Sequence, residues 1–98
     1  MMTILVQFTL NHTAENTDKI IRFFAEILPD TRTFAGNISA ELFKQDQDGD
    51  ALNLFEKWES AAHFEKYIEW RKSIGDFDRL GSMLTDTPMI TIMDKQAS

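Results

Sequence analysis

The chain contains no cysteine and comparatively few basic residues. Without cysteine it can form neither a disulfide nor a thiolate metal site, and this composition fits a reducing compartment such as the cytoplasm. Ten lysines and arginines stand against sixteen acids, which gives a net charge of −6. Such a surface repels phosphate backbones and anionic membranes, so we expect neither nucleic acid nor a membrane as a partner.

Long apolar runs and familiar cofactor motifs are also missing. No stretch reaches the roughly 18 apolar residues that suggest a membrane span, and the apolar start lacks the basic region and cleavage site of a signal peptide. There is no Gly-rich phosphate loop, dinucleotide fingerprint or spacing typical of a Ser-His-Asp arrangement. His12 and His63 are too isolated for a metal site. We therefore expect one cytoplasmic, globular domain over residues 1–98, with its core over 2–93 and a frayed tail over 94–98.

Hydrophobic periodicity predicts six main elements in the order β-α-β-β-α-β. We expect Pro29 to kink or restart the first helix, Gly36 to cap its end and Ser60 to cap the second helix. A short helical turn is predicted over 77–84. The predicted elements are a strand over 3–10, a helix over 14–32, strands over 37–45 and 51–58, a helix over 60–74 and a strand over 89–93.

The element order predicts an α+β, ferredoxin-like fold with a four-stranded antiparallel sheet. Right-handed crossovers place both helices on one face of that sheet. Each strand nevertheless carries apolar residues on both of its rows, so the second face is predicted to be apolar and uncovered. Covering about 600 Å² per subunit would contribute about 15 kcal/mol before association costs. We therefore predict a homodimer with the two sheets packed together about a two-fold axis.

The loop Asp46–Asp50 joins the two central predicted strands and holds three acids and an Asp-Gly pair. Clustered acids suggest calcium, but the loop lacks the length and the distal glutamate of a calcium-binding helix-loop-helix. The Asp-Gly pair favours a plain hairpin turn. We predict no metal site.

Four residues around the predicted strand-to-helix junction have both a structural and a functional interpretation. Trp58 is either a core anchor or a pocket wall whose indole N–H points to a ligand. Glu56 lies on the same row of the strand as Trp58. If that row faces the interior, burial would raise the pKa of Glu56 toward that of a general base. If the row faces the dimer seam, Glu56 would pair with a basic residue of the partner. Tyr67 either packs in the core or donates to a phenolic substrate. Arg71 either complements the helix dipole or stabilises an anionic substrate oxygen.

Residues 56–67 (Glu-Lys-Trp-Glu-Ser-Ala-Ala-His-Phe-Glu-Lys-Tyr) resemble the strand-to-helix junction of the antibiotic biosynthesis monooxygenase domain, especially its quinol monooxygenase members. Gly36 and the acidic hairpin also fit, and the resemblance covers residues 2–93. It implies ferredoxin-like protomers that pair through their sheets as a dimeric α+β barrel. The haem-degrading branch places a tryptophan at Tyr67 and a histidine near Phe77, so the resemblance does not extend to haem degradation.

The resemblance implies oxygenation of a small aromatic by O2 without flavin, haem cofactor or metal. An electron-rich phenol or hydroquinone would be deprotonated, and its anion would transfer an electron to O2 in a shielded pocket to yield a quinone. The alternative is a non-catalytic, dimeric ligand-binding or stress-related module on the same scaffold. The candidate catalytic residues are Trp58, Tyr67 and Arg71, and the candidate substrate-binding residues are Trp70, His63, Glu56 and Asn37.

Overall fold

The computed structural model describes residues 2–45 and 51–97, and it confirms the predicted α+β, ferredoxin-like fold. The antiparallel sheet has the strand order β2-β3-β1-β4. The predicted hairpin turn over 46–50 lies outside the described residues. The elements are β1 (Ile4–Leu10), a 3-10 turn (Ala14–Asn16), α1 (Thr17–Thr33), β2 (Asn37–Lys44), β3 (Leu52–Trp58), α2 (Ala61–Ser73), α3 (Asp76–Gly81) and β4 (Met89–Asp94).

The sheet packs one row of each central strand against the helices. In β1 the buried residues alternate with half-buried ones, as period-two patterning predicts. In β3 the same alternation buries Leu52, Leu54, Glu56 and Trp58. The register pairs Glu56 with Val6 of β1, which is fully buried. The row of Glu56 therefore faces the interior, and this decides between the two orientations that the sequence left open.

Helix α1 runs without interruption from Thr17 to Thr33, so the predicted restart at Pro29 is wrong. Proline removes only one intrahelical hydrogen bond, and the buried stripe of the helix continues past it to Thr31. Packing of that stripe holds the helix together through the proline. The buried residues of α1 are Thr17, Ile20, Phe23, Phe24, Ile27, Leu28 and Thr31.

Gly36 does not cap α1, contrary to prediction, because the cap residue is Phe34. Gly36 has φ = 89° and lies against the side chain of His63, where an added Cβ would clash with the imidazole ring. Glycine is required here for its left-handed backbone and for this close approach. Ser60 does cap α2 as predicted, since its hydroxyl accepts the backbone N–H of His63.

The short helix before the last strand and the last strand itself differ slightly from their predicted bounds. The turn predicted over 77–84 is the helix α3, which begins at Asp76. Asp94 belongs to β4, and the N–H of Lys95 donates to the carbonyl of Thr3 at 2.9 Å. Pairing with β1 therefore continues past Met93, where the predicted strand ends, and the fraying of the tail over 94–98 stays a prediction.

The sheet face away from the helices carries large apolar side chains. Phe43 packs edge-to-face on Phe55 of the next strand while remaining 51% exposed. Every residue of β4 is exposed, Met89 and Met93 among them. Within the described part of the chain, none of the helices combines the length and the apolar character that crossing a bilayer demands.

Candidate functional site

A cluster of five polar side chains is buried between the sheet and the helices. Thr31 comes from α1, Glu56 from β3, Tyr67 and Arg71 from α2, and Asp76 from α3. Their residue exposures run from 0% for Thr31 to 8% for Asp76. Because buried polar groups are costly unless they are paired, such a cluster at the centre of a small domain calls for an explanation. We refer to these five residues as the polar cluster.

Arg71 is the centre of the polar cluster. Its Nε donates to the hydroxyl of Tyr67 at 2.8 Å, and its Nη1 donates to Oδ2 of Asp76 at 2.7 Å. Its Nη2 donates to the carbonyl of Ile27 at 2.8 Å and to the hydroxyl of Thr31 at 3.0 Å. Arg71 does lie in the last turn of α2, as its interpretation as a complement to the helix dipole requires, but its guanidinium also points inward and donates to four acceptors.

The ionisation of the Arg71 and Tyr67 side chains follows from these contacts. Burial opposes the charge of Arg71, but hydrogen bonds and charges from Tyr67 and Asp76 outweigh it, so the pKa of Arg71 is raised. Burial, and then the negative charge of Glu56, also raise the pKa of Tyr67. The Tyr67 hydroxyl lies 2.6 Å from the hydroxyl of Thr31. The polar cluster thus presents a cation and a neutral phenol side by side.

Glu56 is the member of the polar cluster whose side chain is least stabilised by its neighbours. Its Oε1 accepts the indole N–H of Trp58 at 3.1 Å, and among the residues described no other hydrogen bond reaches its carboxyl group. Burial raises its pKa from 4.5 to about 7, although the Trp58 hydrogen bond and the charge of Arg71 oppose the rise. Near neutral pH, Glu56 therefore exists in both protonated and ionised forms, which suits a proton acceptor that must later return its proton.

A cavity of about 30 Å³ lies where the polar cluster meets the aromatic core. A cavity known to hold benzene measures about 150 Å³, so this one accepts a water molecule or two but not an aromatic ring. Its polar lining comes from Glu56, Tyr67, Arg71 and Asp76. Its apolar lining consists of Phe8, Phe23, Phe24, Ile27, Leu54, Ile68, Phe77 and Leu80.

Trp58 and Trp70 flank this cavity without lining it. Trp58 is completely buried, packs on the Tyr67 ring at 4.9 Å between centroids, and gives its N–H to Glu56. Trp70 stacks on Phe34 at 5.5 Å, and the guanidinium of Arg71 lies 4.5 Å from the centre of its ring. Both indoles therefore support residues of the polar cluster, Trp58 by orienting Glu56 and Trp70 by covering Arg71.

His63 and Asn37 lie away from the cavity. The Nδ1 of His63 is 2.7 Å from the hydroxyl of Ser60, within the cap of α2. Asn37 donates to the carbonyls of Ser39 and Lys57, and its Oδ1 is buried without a hydrogen-bond partner among the described residues. The structure does not bring these two side chains to the polar cluster, so their role in substrate binding stays a prediction.

Sequence reasoning missed Thr31 and Asp76. A signal existed for Thr31, because it follows Ile27 by four residues on the buried stripe of α1. Asp76 had a weaker signal: an arginine on the apolar stripe of α2 requires a nearby anion. Within residues 2–45 and 51–97, no group of three His, Cys, Asp or Glu side chains is placed to hold a metal ion.

Comparison with known proteins identifies the family. The sequence profile of the family described as antibiotic biosynthesis monooxygenase matches residues 3–73. The chain belongs to this family. The matched segment of the monooxygenase family contains four members of the polar cluster, and Asp76 lies beyond it. A comparison with curated proteins gives no match.

Solved structures agree on the fold of this monooxygenase family member. A conserved protein from Methanosarcina mazei Go1 is similar with a TM-score of 0.87 at 18% identity, over 98% of this chain and 95% of the other. The protein Rv0793 from Mycobacterium tuberculosis gives 0.86 at 18% identity, over 98% and 97%. A candidate antibiotic biosynthesis monooxygenase from Deinococcus radiodurans gives 0.85 at 17% identity, over 97% and 94%. At these identities the likeness concerns the fold alone.

Proposed function

We propose that this protein is a monooxygenase that oxidises a phenolic or quinol-like aromatic with O2 and needs neither an organic cofactor nor a metal. Family membership supports the reaction class. The observation that carries the proposal is the buried carboxyl of Glu56, which shares one cavity with the Tyr67 hydroxyl and the Arg71 guanidinium. A base and two donors around one small space are the groups that phenol deprotonation requires.

The first step is transfer of the phenol proton to ionised Glu56. An ordinary phenol has a pKa of about 10, roughly three units above that of Glu56, so the transfer costs about 4 kcal/mol unless the phenolate is stabilised. Hydrogen bonds to a charged group contribute about 1.5–3 kcal/mol each. Donation from Arg71 and Tyr67 to the phenolate oxygen offsets most of that cost.

The second step consumes O2 with electrons from the substrate alone. The phenolate gives one electron to O2, and the radical pair combines at a ring carbon to form the C–O bond of a peroxide. The peroxide takes a proton, which protonated Glu56 can return. The ring carbon then loses its hydrogen as a proton, the O–O bond breaks, and one oxygen stays as a quinone carbonyl while the other leaves as water. Phenol plus O2 thus gives quinone plus water, and no separate reductant is needed.

The apolar lining of the cavity serves this chemistry by excluding water. Rings from Phe8, Phe23, Phe24 and Phe77 surround the site, so a phenolate formed there has few solvent donors to compete with Arg71 and Tyr67. Low local polarity also strengthens those two interactions. Trp58 is a positioning residue in this scheme, since its N–H holds Oε1 of Glu56.

We also propose that the protein works in the cytoplasm as a homodimer that covers the open sheet face. Phe43, Met89 and Met93 are each at least 41% exposed there, and such apolar surface is unusual for a monomer. Sedimentation velocity at micromolar protein tests this arrangement. Dimers that a Met93→Lys variant weakens support it, whereas a wild type that sediments only as monomers contradicts it.

The catalytic proposal is tested by oxygen uptake with a panel of phenols and hydroquinones, corrected for autoxidation. We expect Glu56→Gln to lower the rate at least about 100-fold, the usual loss for a general base. Glu59→Gln is the matched control, because Glu59 is an exposed acid three positions along the chain. With isotopically labelled O2, one labelled atom should appear in the product. Binding of these aromatics without oxygen consumption would contradict the proposal and favour the ligand-binding module.

A further inference from the structure

We propose that α3 is a hinged lid over the cavity, that Asp76 holds it closed through Arg71, and that the ligand which opens it carries an anionic oxygen that takes the place of Asp76. This inference rests on the proposed function because it takes the cavity as the ligand site. It adds how a ligand enters and which chemical group the ligand must have.

The size of the cavity requires that part of its wall moves. The present space of about 30 Å³ is well below the roughly 150 Å³ that a benzene ring occupies in a protein. Most of the wall belongs to β1, β3, α1 and the second half of α2. The rest belongs to the short helix α3, which contributes Asp76, Phe77 and Leu80 to the lining; Leu80 is part of the hydrophobic core and Phe77 packs against it.

Helix α3 is built to move as a unit. It is six residues long and follows Gly75, whose φ of 86° is in the left-handed region that glycine adopts without strain. An added Cβ at Gly75 would meet nothing within 4 Å, so this side of the junction is open, although the N–H of Gly75 donates to the carbonyl of Lys72. On the far side, the carbonyl of Met83 accepts from Asn16 and the N–H of Thr85 donates to Asn11, which anchors the chain beyond the helix.

Outside the cavity, α3 is held to α1 mainly by Arg79. This side chain pairs with Glu26 at 3.2 Å, and both partners are more than half exposed. The guanidinium also lies 4.9 Å from the centre of the Phe23 ring. Exposed ion pairs and exposed cation–π contacts are weak, so these outer contacts oppose opening only slightly.

The inner contact decides what can open the lid. The Arg71–Asp76 pair at 2.7 Å is buried, and Arg71 otherwise donates to neutral acceptors on Ile27, Thr31 and Tyr67. A buried guanidinium that loses its anion is strongly destabilised. Lid opening is therefore favourable when a ligand brings a replacement anion, either a phenolate or a carboxylate on an aromatic ring. The displacement of Phe77 and Leu80 with the lid creates the space for that ring.

Benzoate and benzamide are matched probes, because they have the same size and differ in charge. We expect Asp76→Asn to bind benzoate at least tenfold more tightly than wild type by calorimetry, since the competing internal anion is gone. Asp78→Asn is the control, as it removes an exposed acid from the same helix. Binding of benzamide should not increase. Unchanged or weaker benzoate binding by Asp76→Asn, or an equal gain for benzamide, would overturn the inference.

Glu26→Gln provides a second test that leaves the buried pair untouched, because Glu26 pairs with Arg79, whereas Arg79 itself also lies 3.5 Å from Asp76. Because Glu26 is exposed, this variant should fold, and the weaker outer contact should make benzoate association two- to fivefold faster in stopped flow. Hydrogen exchange over residues 76–81 should also increase when benzoate binds to wild type. An unchanged association rate together with unchanged exchange would refute the lid even if Asp76→Asn does not fold.

These measurements separate the lid from the reaction, since none of them requires oxygen consumption. If benzoate displaces Asp76 but no phenol is oxidised, the lid stands and the proposed monooxygenase activity fails. If wild type oxidises phenols while Asp76→Asn and Asp78→Asn bind benzoate alike, the activity stands and the lid fails.

Discussion

Replacing Glu56 by glutamine should remove a specific part of the pH dependence of stability. Burial raises the pKa of Glu56 from 4.5 to about 7. A difference of roughly 2.5 pKa units corresponds to about 3 kcal/mol. Below the unfolded pKa, the carboxyl is protonated in both states and its contribution to the free energy of unfolding is fully present. As pH rises toward the folded pKa, the unfolded state binds fewer protons than the folded state, and that contribution is lost.

Urea unfolding of wild type, Glu56→Gln and Glu59→Gln across this pH range measures the effect. Glutamine cannot ionise, and its amide oxygen can still accept the Trp58 N–H, so the glutamine variant should not lose stability through this site. We expect the stability of Glu56→Gln relative to wild type to rise by about 3 kcal/mol from acid to mildly alkaline pH. The difference for Glu59→Gln should stay nearly constant, because that acid is exposed. A constant difference for Glu56→Gln as well would refute the assignment of a raised pKa.

Three further substitutions test the packing of the site. Arg71→Met leaves the buried Asp76 with only the exposed Arg79, 3.5 Å away, as a partner and should cost about 3–5 kcal/mol of unfolding free energy in urea; a cost below about 1 kcal/mol would contradict a buried pair. Gly36→Ala should cost about 2–4 kcal/mol by thermal unfolding, because alanine is strained in this backbone conformation and its Cβ clashes with His63. Adding His63→Ala should recover part of that cost. No loss of stability in Gly36→Ala would show that Gly36 and His63 are not in close contact. Ser60→Ala should cost about 1 kcal/mol by the same assay, because the cap of α2 is lost, and no change would argue against that cap.

The order of elements and the covered face of the sheet could be predicted from sequence, because each follows from local periodicity. Ile4, Val6 and Phe8 alternate regularly, and the alternation alone shows which residues lie together. Errors arose where tertiary contacts overrule a local rule. Pro29 is accommodated in a helix held by its buried stripe, and Gly36 serves a contact with a side chain 27 positions further on.

The candidate site was predictable only in part. Tyr67 and Arg71 are four residues apart on one helix, so their proximity follows from sequence. The contact between Arg71 and Thr31 joins residues 40 positions apart, and no periodicity predicts it. The row of Glu56 stayed undecided because both rows of β3 carry apolar residues. Asp76 was hidden in a segment without a regular pattern, and its partner becomes evident only when α3 packs on α2.

The central claim is that the cavity transfers a proton from a bound phenol to Glu56. The most direct measurement is the absorbance of a bound chromophoric phenol whose own pKa lies above that of Glu56, such as para-cyanophenol, at a pH between the two values. The account predicts the spectrum of the phenolate on wild type, without proton release to the buffer, and the spectrum of the neutral phenol on Glu56→Gln. A bound probe that stays neutral on both proteins would contradict the account.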